Sequence, residues 1–374
     1  MSRSVLITGG AGFIGANFAR HWSHTHPRDA VIVLDALTYA GNRASVQDLI
    51  ASGAVRFVHG DIRDGALVAS LLRDARVDTI VHLAAESHVD RSILGPDAFI
   101  ETNIVGTHRM LGAARQVWLA ENSVPGERRF HHVSTDEVYG SLEPDDPPFT
   151  ERTPYAPNSP YAASKAASDH LVRAYHRTFG LPVTMSNCSN NYGPYQFPEK
   201  LLPLAIVNCL DGRPVPIYGD GMQVRDWLHV ADHCKAIAAV IERGRDGESY
   251  NFGGGTTITN LELLRRLCRI IDRAFTADPA LASRFPSSPA ARGAPCEQAL
   301  SFVRDRPGHD RRYAIDGTRA REELGFTAET TLDAGLERLV AWYLANEPWW
   351  RAVQDGSYRD WIERQYGAAR SAGG

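Results

Sequence analysis

"VLITGGAGFIGANFARHW", residues 5–22, reads as a strand, a glycine turn and the opening of a helix. Gly9, Gly10, Gly12 and Gly15 sit where a strand should give way to a helix. Glycines at that spacing allow a tight turn, let the backbone approach a pyrophosphate and let the helix pack close to the strand, with the phosphate on the helix N-terminus. The next apolar run, "AVIVLD" (30–35), ends in Asp35, twenty residues beyond Gly15. A carboxylate there suits a ribose diol and repels a 2′-phosphate, so the expected cofactor is NAD rather than NADP.

The pattern continues outward from this unit. "VRFVHG" (55–60), "DTIVHLA" (78–84), "RFHHVS" (129–134) and "PVTMSN" (182–187) are further near-continuous apolar runs, as strands covered on both faces should be. Helical patterns lie between them, near 13–24, 64–75, 97–119 and 161–179. This alternation predicts an α/β fold, a doubly wound parallel sheet of the Rossmann type spanning 1–189. From 190 to 350 the pattern loosens into a smaller mixed α/β lobe, with 225–252 expected to return to the first domain. Residues 276–298, rich in Ala, Pro and Ser, read as a surface excursion, and 351–374 as a C-terminal tail.

Composition narrows the functions. With 374 residues, 43% hydrophobic, 22% charged and a net charge of −4, the chain suits a soluble globular protein and offers no basic footprint for nucleic acid. No run is long and apolar enough for a membrane span, and the start leaves no room for a signal peptide, so a cytoplasmic protein is expected. The five cysteines form no C-x-x-C pair, and His21, His24 and His26 lack a carboxylate or thiol to complete a site; no metal is expected. His131 and His132 read as packed strand residues, and Trp349–Trp350 as a core or interface plug.

The chemistry concentrates in two places. "FHHVSTDEVYGS" (130–141) ends a strand at Thr135 and follows it with two adjacent acids, Asp136 and Glu137. A solvated acidic turn would look the same, and neighbours on a straight strand point to opposite faces, so shared chemistry requires a bend at 135–137. "SPYAASKAASDHL" then places Tyr161 and Lys165 on one helix face. A tyrosine with a pKa near ~10 becomes a useful base when an ammonium and an oxidised nicotinamide stabilise its phenolate. Asp61, at the end of "GDIRD" and its strand, is within reach of an adenine, and small Ala84 and Ala85 admit the cofactor. Lys200, Arg225, Arg306 and His309 lie beside turns or strand ends of the second lobe, where a phosphate can approach, although any one of the arginines, taken alone, reads as a surface ion pair.

Through "VSTDEVYG", "SPYAASKAASD", "NCSNNYGPYQFPEKLLPL", "QVRDWLHV" and "DRPGHDRRYAID", the chain resembles the extended short-chain dehydrogenase/reductase family, within its NAD-dependent sugar epimerase and dehydratase group, from Val5 to about Tyr343. The resemblance implies a lyase that oxidises C4 of dTDP-glucose, eliminates water across C5–C6 and returns hydride to C6. It implies Glu137 as the C5 base and Asp136 as the acid at the 6-hydroxyl, with Thr135, Tyr161 and Lys165 as the remaining catalytic set. It also implies an NAD site of Gly9, Gly12, Phe13, Ile14, Gly15, Asp35, Thr38, Asp61, Ile62, Leu83, Ala84, Ala85, Thr102, Tyr161, Lys165 and Asn191. The nucleotide sugar would meet Ser87, Thr135, Asn190, Lys200, Leu201, Arg225, Asn260, Arg306 and His309, with Pro216 and Tyr218 near the base. The family further implies a homodimer through helices 97–119 and 161–179, which carry apolar positions on more than one face. Two alternatives stay open: a dehydratase or epimerase of another nucleotide sugar, and a silent NAD-binding scaffold. The second would lead one to expect damage at Asp136, Glu137, Tyr161 or Lys165, and all four are intact.

Overall fold

The computed structural model describes residues 2–124 and 126–354, so most of the expected tail lies outside the described residues. Twelve strands are present among them: β1 Ser4–Thr8, β2 Ala30–Asp35, β3 Arg56–His59, β4 Thr79–His82, β5 Arg129–Thr135, β6 Val183–Cys188, β7 Asn190–Tyr192, β8 Val215–Tyr218, β9 Val224–His229, β10 Ser249–Phe252, β11 Thr257–Thr259 and β12 Leu300–Val303. Seven form one parallel sheet in the order β10-β6-β5-β4-β1-β2-β3. The order reverses between β1 and β4, and ligands of such sheets bind at that switch point, outside the carboxyl ends of the strands.

Both faces of the sheet are covered, which is why its strands are apolar throughout. Phe18 and Trp22 of the helix Phe13–Thr25 pack with Val230, Ile237 and Ile241 of the helix Val230–Arg243 on one face. Val68, Leu72, Met110, Trp118 and Val172, from the helices on either side of residue 100 and from Pro160–Phe179, fill the other. Burying each such side chain contributes about 1.5–3 kcal/mol. The helical run 97–120 widens to i→i+5 turns over Ile100–Gly106 and Arg115–Ala120.

The return of later segments to the first domain begins at Val230 rather than 225. β9 belongs instead to a small sheet with β7 and β11, and only the helix Val230–Arg243 and β10 rejoin the main sheet. The stretch 276–298 runs largely exposed but is anchored to the second lobe. It contains the short helix Ala280–Arg284 and buries Leu281, Phe285 and Cys296 in the second-lobe core. Composition hid this because its few apolar residues are spaced irregularly between prolines. Trp350 is a core plug, and Trp349 packs edge-on to Tyr195 and Trp342.

Candidate active site

The glycine turn is built for close approach. Gly9 has φ +68°, and a Cβ there would stand 2.7 Å from Ala84 N, while one on Gly15 would stand 2.2 Å from Gly9 O. The helix that follows is capped by Gly12 without any side-chain hydrogen bond and has no acid in its first turn, leaving its amide donors to an anion. Asp35, at the end of β2, accepts Ala11 N at 2.9 Å on Oδ2 and Leu37 N at 2.8 Å on Oδ1. It therefore shapes the loop after β2, and each oxygen keeps a second lone pair for a ribose hydroxyl.

One cleft of about 330 Å³ runs from this turn to the acid pair. Every residue of the expected NAD set lines it: Gly9, Gly12, Phe13, Ile14, Gly15, Asp35, Thr38, Asp61, Ile62, Leu83, Ala84, Ala85, Thr102, Tyr161, Lys165 and Asn191. Thr135, Asp136, Glu137, Ser87, Asn190 and Lys200 line it too, and Lys200 Nζ donates to Ser87 O at 2.8 Å. These residues fit NAD: an uncapped helix end for the diphosphate, a carboxylate at the second strand and small side chains at the fourth.

The bend required of the acid pair is a 3₁₀ turn, Asp136–Tyr139, beginning directly after β5. Three residues per turn brings successive side chains closer in direction than a strand would. Thr135 Oγ1 caps the turn by accepting Glu137 N at 3.3 Å, and Gly140 closes it at φ +91°.

The surroundings of the two acids differ. Asp136 is 2% exposed, and its Oδ2 has no hydrogen-bond partner among the described residues. Burial, then Glu137, then Asp226 push its carboxyl well above the usual range, so the neutral acid is favoured. Glu137 is also raised by burial, but Arg306, Lys200 and Arg225 pull it back towards the ionised form.

Tyr161 differs from expectation. Burial first, then Glu137 and Cys188, push its phenol well above the ordinary value, and hydrogen bonding to Thr135 opposes this. In the chain by itself burial and the neighbouring acids favour the neutral phenol, and the positive charge of an oxidised nicotinamide would favour the phenolate. Lys165 is buried and donates from Nζ to Val133 O at 2.9 Å.

Leu201, Pro216, Tyr218, Arg225, Asn260, Arg306 and His309 do not line this cleft. Several of them gather in the adjoining second-lobe rim. Tyr218 on β8 and Arg306 both meet Asp90, and the His309 ring lies edge-on to Tyr218 at 6.0 Å. Gln223 ties the turn after β8 to Asp305 by donating from Nε2 at 3.1 Å, and its main-chain carbonyl accepts Asn260 N at 3.0 Å. Arg225 is committed to structure: its guanidinium stacks 4.2 Å over Tyr313 and donates to the carbonyls of Val224 and Asp310 at 2.8 Å. His309 is not a cation here, since burial and then Arg306 push it down to about 4. Pro216 is the second residue of β8 and Leu201 the first of the helix Leu201–Asp211, and neither makes a polar side-chain contact, as their chemistry requires.

Sequence reasoning passed over Glu199, which lines the cleft 3.3 Å from Arg91 and is pushed up to about 7, first by burial. No spacing rule marks it, although it lies inside "FPEK". Asp90 was missed for the same reason. Among the described residues no group of His, Cys, Asp or Glu could hold a metal. His26 is instead engaged with Glu242 at 3.2 Å and stacked on Trp22.

The profile of the GDP-mannose 4,6 dehydratase family matches residues 6–339. The chain belongs to this family. It is 53% identical to the dTDP-glucose 4,6-dehydratase of Xanthomonas campestris pv. campestris (strain B100), covering 95% of this chain and 97% of that one. Identity to the enzyme of the same name from Neisseria meningitidis is 50%, with 96% and 98% covered. A crystal structure of the Streptomyces venezuelae dTDP-glucose 4,6-dehydratase, with NAD and a dTDP ligand bound, superposes with a TM-score of 0.80 at 48% identity, covering 94% and 99%. Membership agrees with the parallel sheet.

Proposed function

We propose that the protein is a hydro-lyase converting dTDP-glucose to dTDP-4-dehydro-6-deoxyglucose and water. The observation that carries this is the unequal environment of the acid pair: Asp136 beside Glu137 and Asp226, Glu137 among Arg306, Lys200 and Arg225. NAD, when bound, accepts hydride from C4 and returns it to C6, so no net redox change remains. Tyr161 takes the proton of the 4-hydroxyl. Glu137 removes the C5 proton, made acidic by the neighbouring ketone, and Asp136 protonates the departing 6-hydroxyl. Glu137 then returns its proton to C5. Tyr161 ends with one proton more and Asp136 with one fewer; the Thr135 hydroxyl lies between them, 3.5 Å from Asp136 Oδ1, and suits the transfer that resets both.

The sugar nucleotide lies across the cleft and rim, with Ser87, Thr135 and Asn190 at the hexose and Lys200, Leu201, Asn260, Arg306 and His309 along the diphosphate and deoxyribose, while Arg225 supports this rim through Tyr313 and the Asp310 carbonyl. Pro216 and Tyr218 border the base. Incubation with dTDP-glucose, UDP-glucose and GDP-mannose, followed by mass spectrometry, tests the reading. Loss of one water from dTDP-glucose is expected; loss from another donor alone moves the substrate, and loss from none rejects the reaction.

The working form is a homodimer. Leu94, Ile100, Leu119 and Phe179 are 69%, 48%, 37% and 39% exposed, on or beside the helical run 97–120 and the helix Pro160–Phe179. Apolar side chains left bare on two neighbouring helices suit a four-helix bundle about a two-fold axis. Sedimentation at micromolar concentration should give twice the chain mass. The compartment is the cytoplasm: all five cysteines are free, which suits a reducing environment, and no described helix is long and apolar enough to cross a membrane.

A further inference from the structure

Asp169 stands one turn beyond Lys165 and two beyond Tyr161 on the helix Pro160–Phe179, a spacing that stacks all three along one face. It is 2% exposed, yet its carboxylate is held from three other segments. Oδ2 accepts Ser134 Oγ at 2.8 Å and Tyr155 OH at 3.0 Å, Oδ1 accepts His132 Nε2 at 3.0 Å, and Asn187 Nδ2 approaches Oδ2 at 3.5 Å. These donors are neutral: burial pushes His132 down to about 4 and the Tyr155 phenol up. Four neutral donors satisfy the lone pairs of a buried carboxylate but bring no opposite charge to it.

Lys165 has the complementary problem. The residue is 5% exposed, and its ammonium donates to the Val133 carbonyl at 2.9 Å with no carboxylate in direct contact among the described residues. The titratable groups facing it are His132 from β5, Cys188 from β6, His82 from β4, and Tyr161 and Asp169 from its own helix, with Asp136 and Glu137 beyond Tyr161. Burial holds both histidines and the Cys188 thiol neutral. Desolvation lowers the Lys165 pKa, and Asp169 is the foremost charge opposing that fall.

We propose that Asp169 is a positioning residue whose buried charge keeps Lys165 an ammonium beside Tyr161, and that its neutral donors exist to hold that charge. The inference rests on the dehydratase reading for its consequence, the ammonium–phenolate pair that activates the 4-hydroxyl. Without the carboxylate, Lys165 releases its proton at lower pH and the pair is lost from the alkaline side.

The chain contains only three lysines, Lys165, Lys200 and Lys235. Carbon-13 lysine labelling therefore gives three ε-methylene signals, with Lys165 assigned by its loss in Lys165→Met. In Asp169→Asn its titration midpoint should fall by about one pH unit or more, the size expected on losing one close opposite charge. The alkaline limb of the kcat/KM profile on dTDP-glucose should fall with it. Tyr155→Phe, which removes a donor and keeps the charge, should leave both in place, and Asp169→Glu should restore them. If Asp169→Asn does not fold, Asp169→Ser, with room for water, carries the same expectation. A midpoint unchanged in the neutral variants, or displaced equally in Asp169→Glu, overturns the inference. The NMR titration decides this even if the wild type leaves dTDP-glucose intact, an outcome that would reject the functional reading alone.

Discussion

Arg306 Nη1 donates to Asp90 Oδ1 at 3.0 Å, joining residues 216 apart in the chain and tying the second lobe to the first. Tyr218 OH donates to the other oxygen at 3.0 Å, and Arg306 Nε has no partner among the described residues. On the proposed reading, Asp90 thereby aims a guanidinium whose remaining donors would meet the substrate diphosphate. A hydrogen bond to a charged group contributes about 1.5–3 kcal/mol. Asp90→Asn should raise KM for dTDP-glucose about 10–100-fold and change kcat far less. A fall in kcat at constant KM would instead assign Arg306 to the support of Glu137.

The acid pair predicts two different failures. Glu137→Gln leaves oxidation at C4 possible and blocks elimination, so reduced cofactor should accumulate on the enzyme, visible by its absorbance. Asp136→Asn keeps the base and removes the acid, making departure of the 6-hydroxyl limiting. Each should cost roughly 10²–10⁴-fold in turnover. In D₂O the wild-type product should carry deuterium at C5, while hydrogen labelled at C4 of the substrate should reappear at C6. Product without deuterium at C5, or Glu137→Gln within tenfold of wild type, removes Glu137 from its role.

At the cofactor end, a Cβ on residue 15 would lie 2.2 Å from Gly9 O, inside any tolerated contact. Gly15→Ala should purify without NAD, measured by releasing bound nucleotide on denaturation. Asp35→Ala combined with Ala36→Arg should shift preference towards NADP by at least about tenfold, since the repulsive carboxylate is replaced by a cation. Unchanged selectivity would mean that Asp35 serves only the loop.

Buried histidines set an acid limit on stability. His233 is fully buried and pushed down to about 3, by burial alone. Its folded pKa lies below the unfolded 6.5, so the unfolded chain binds the proton first and stability falls as pH drops below 6.5. Each pH unit in that window costs about 1.4 kcal/mol for one such group. The stability of His233→Gln relative to wild type should therefore rise by about 1.4 kcal/mol between about pH 7.5 and about pH 5.5, measured by urea unfolding. His82, His131 and His132 are buried and lowered as well, and the carboxyls of Asp136 and Asp35, raised on folding, offset part of the loss. A relative stability independent of pH would show that His233 is protonated in the fold.

The parallel sheet, the glycine turn, Asp35 and the Tyr161–Lys165 pair could be read from the chain because each rests on local order: continuous apolar runs, fixed glycine spacing, a four-residue helical interval. Asp169 continues that interval, so its face was legible while its partners were not, since Ser134, His132 and Tyr155 reach it from elsewhere in the chain. The same holds for Cys209, Cys268 and Cys296, scattered in sequence yet brought together in the second-lobe core. Sequence by itself determined which residues could do chemistry and which end of the sheet would hold them. Tertiary structure alone decided that Asp136 is buried beside Glu137 and Asp226 while Glu137 lies among Arg306, Lys200 and Arg225, that Arg225 anchors a loop, and that Asp90 holds Arg306. Charge state depends on desolvation and on neighbours contributed by distant segments, and neither is encoded in the spacing of residues along the chain.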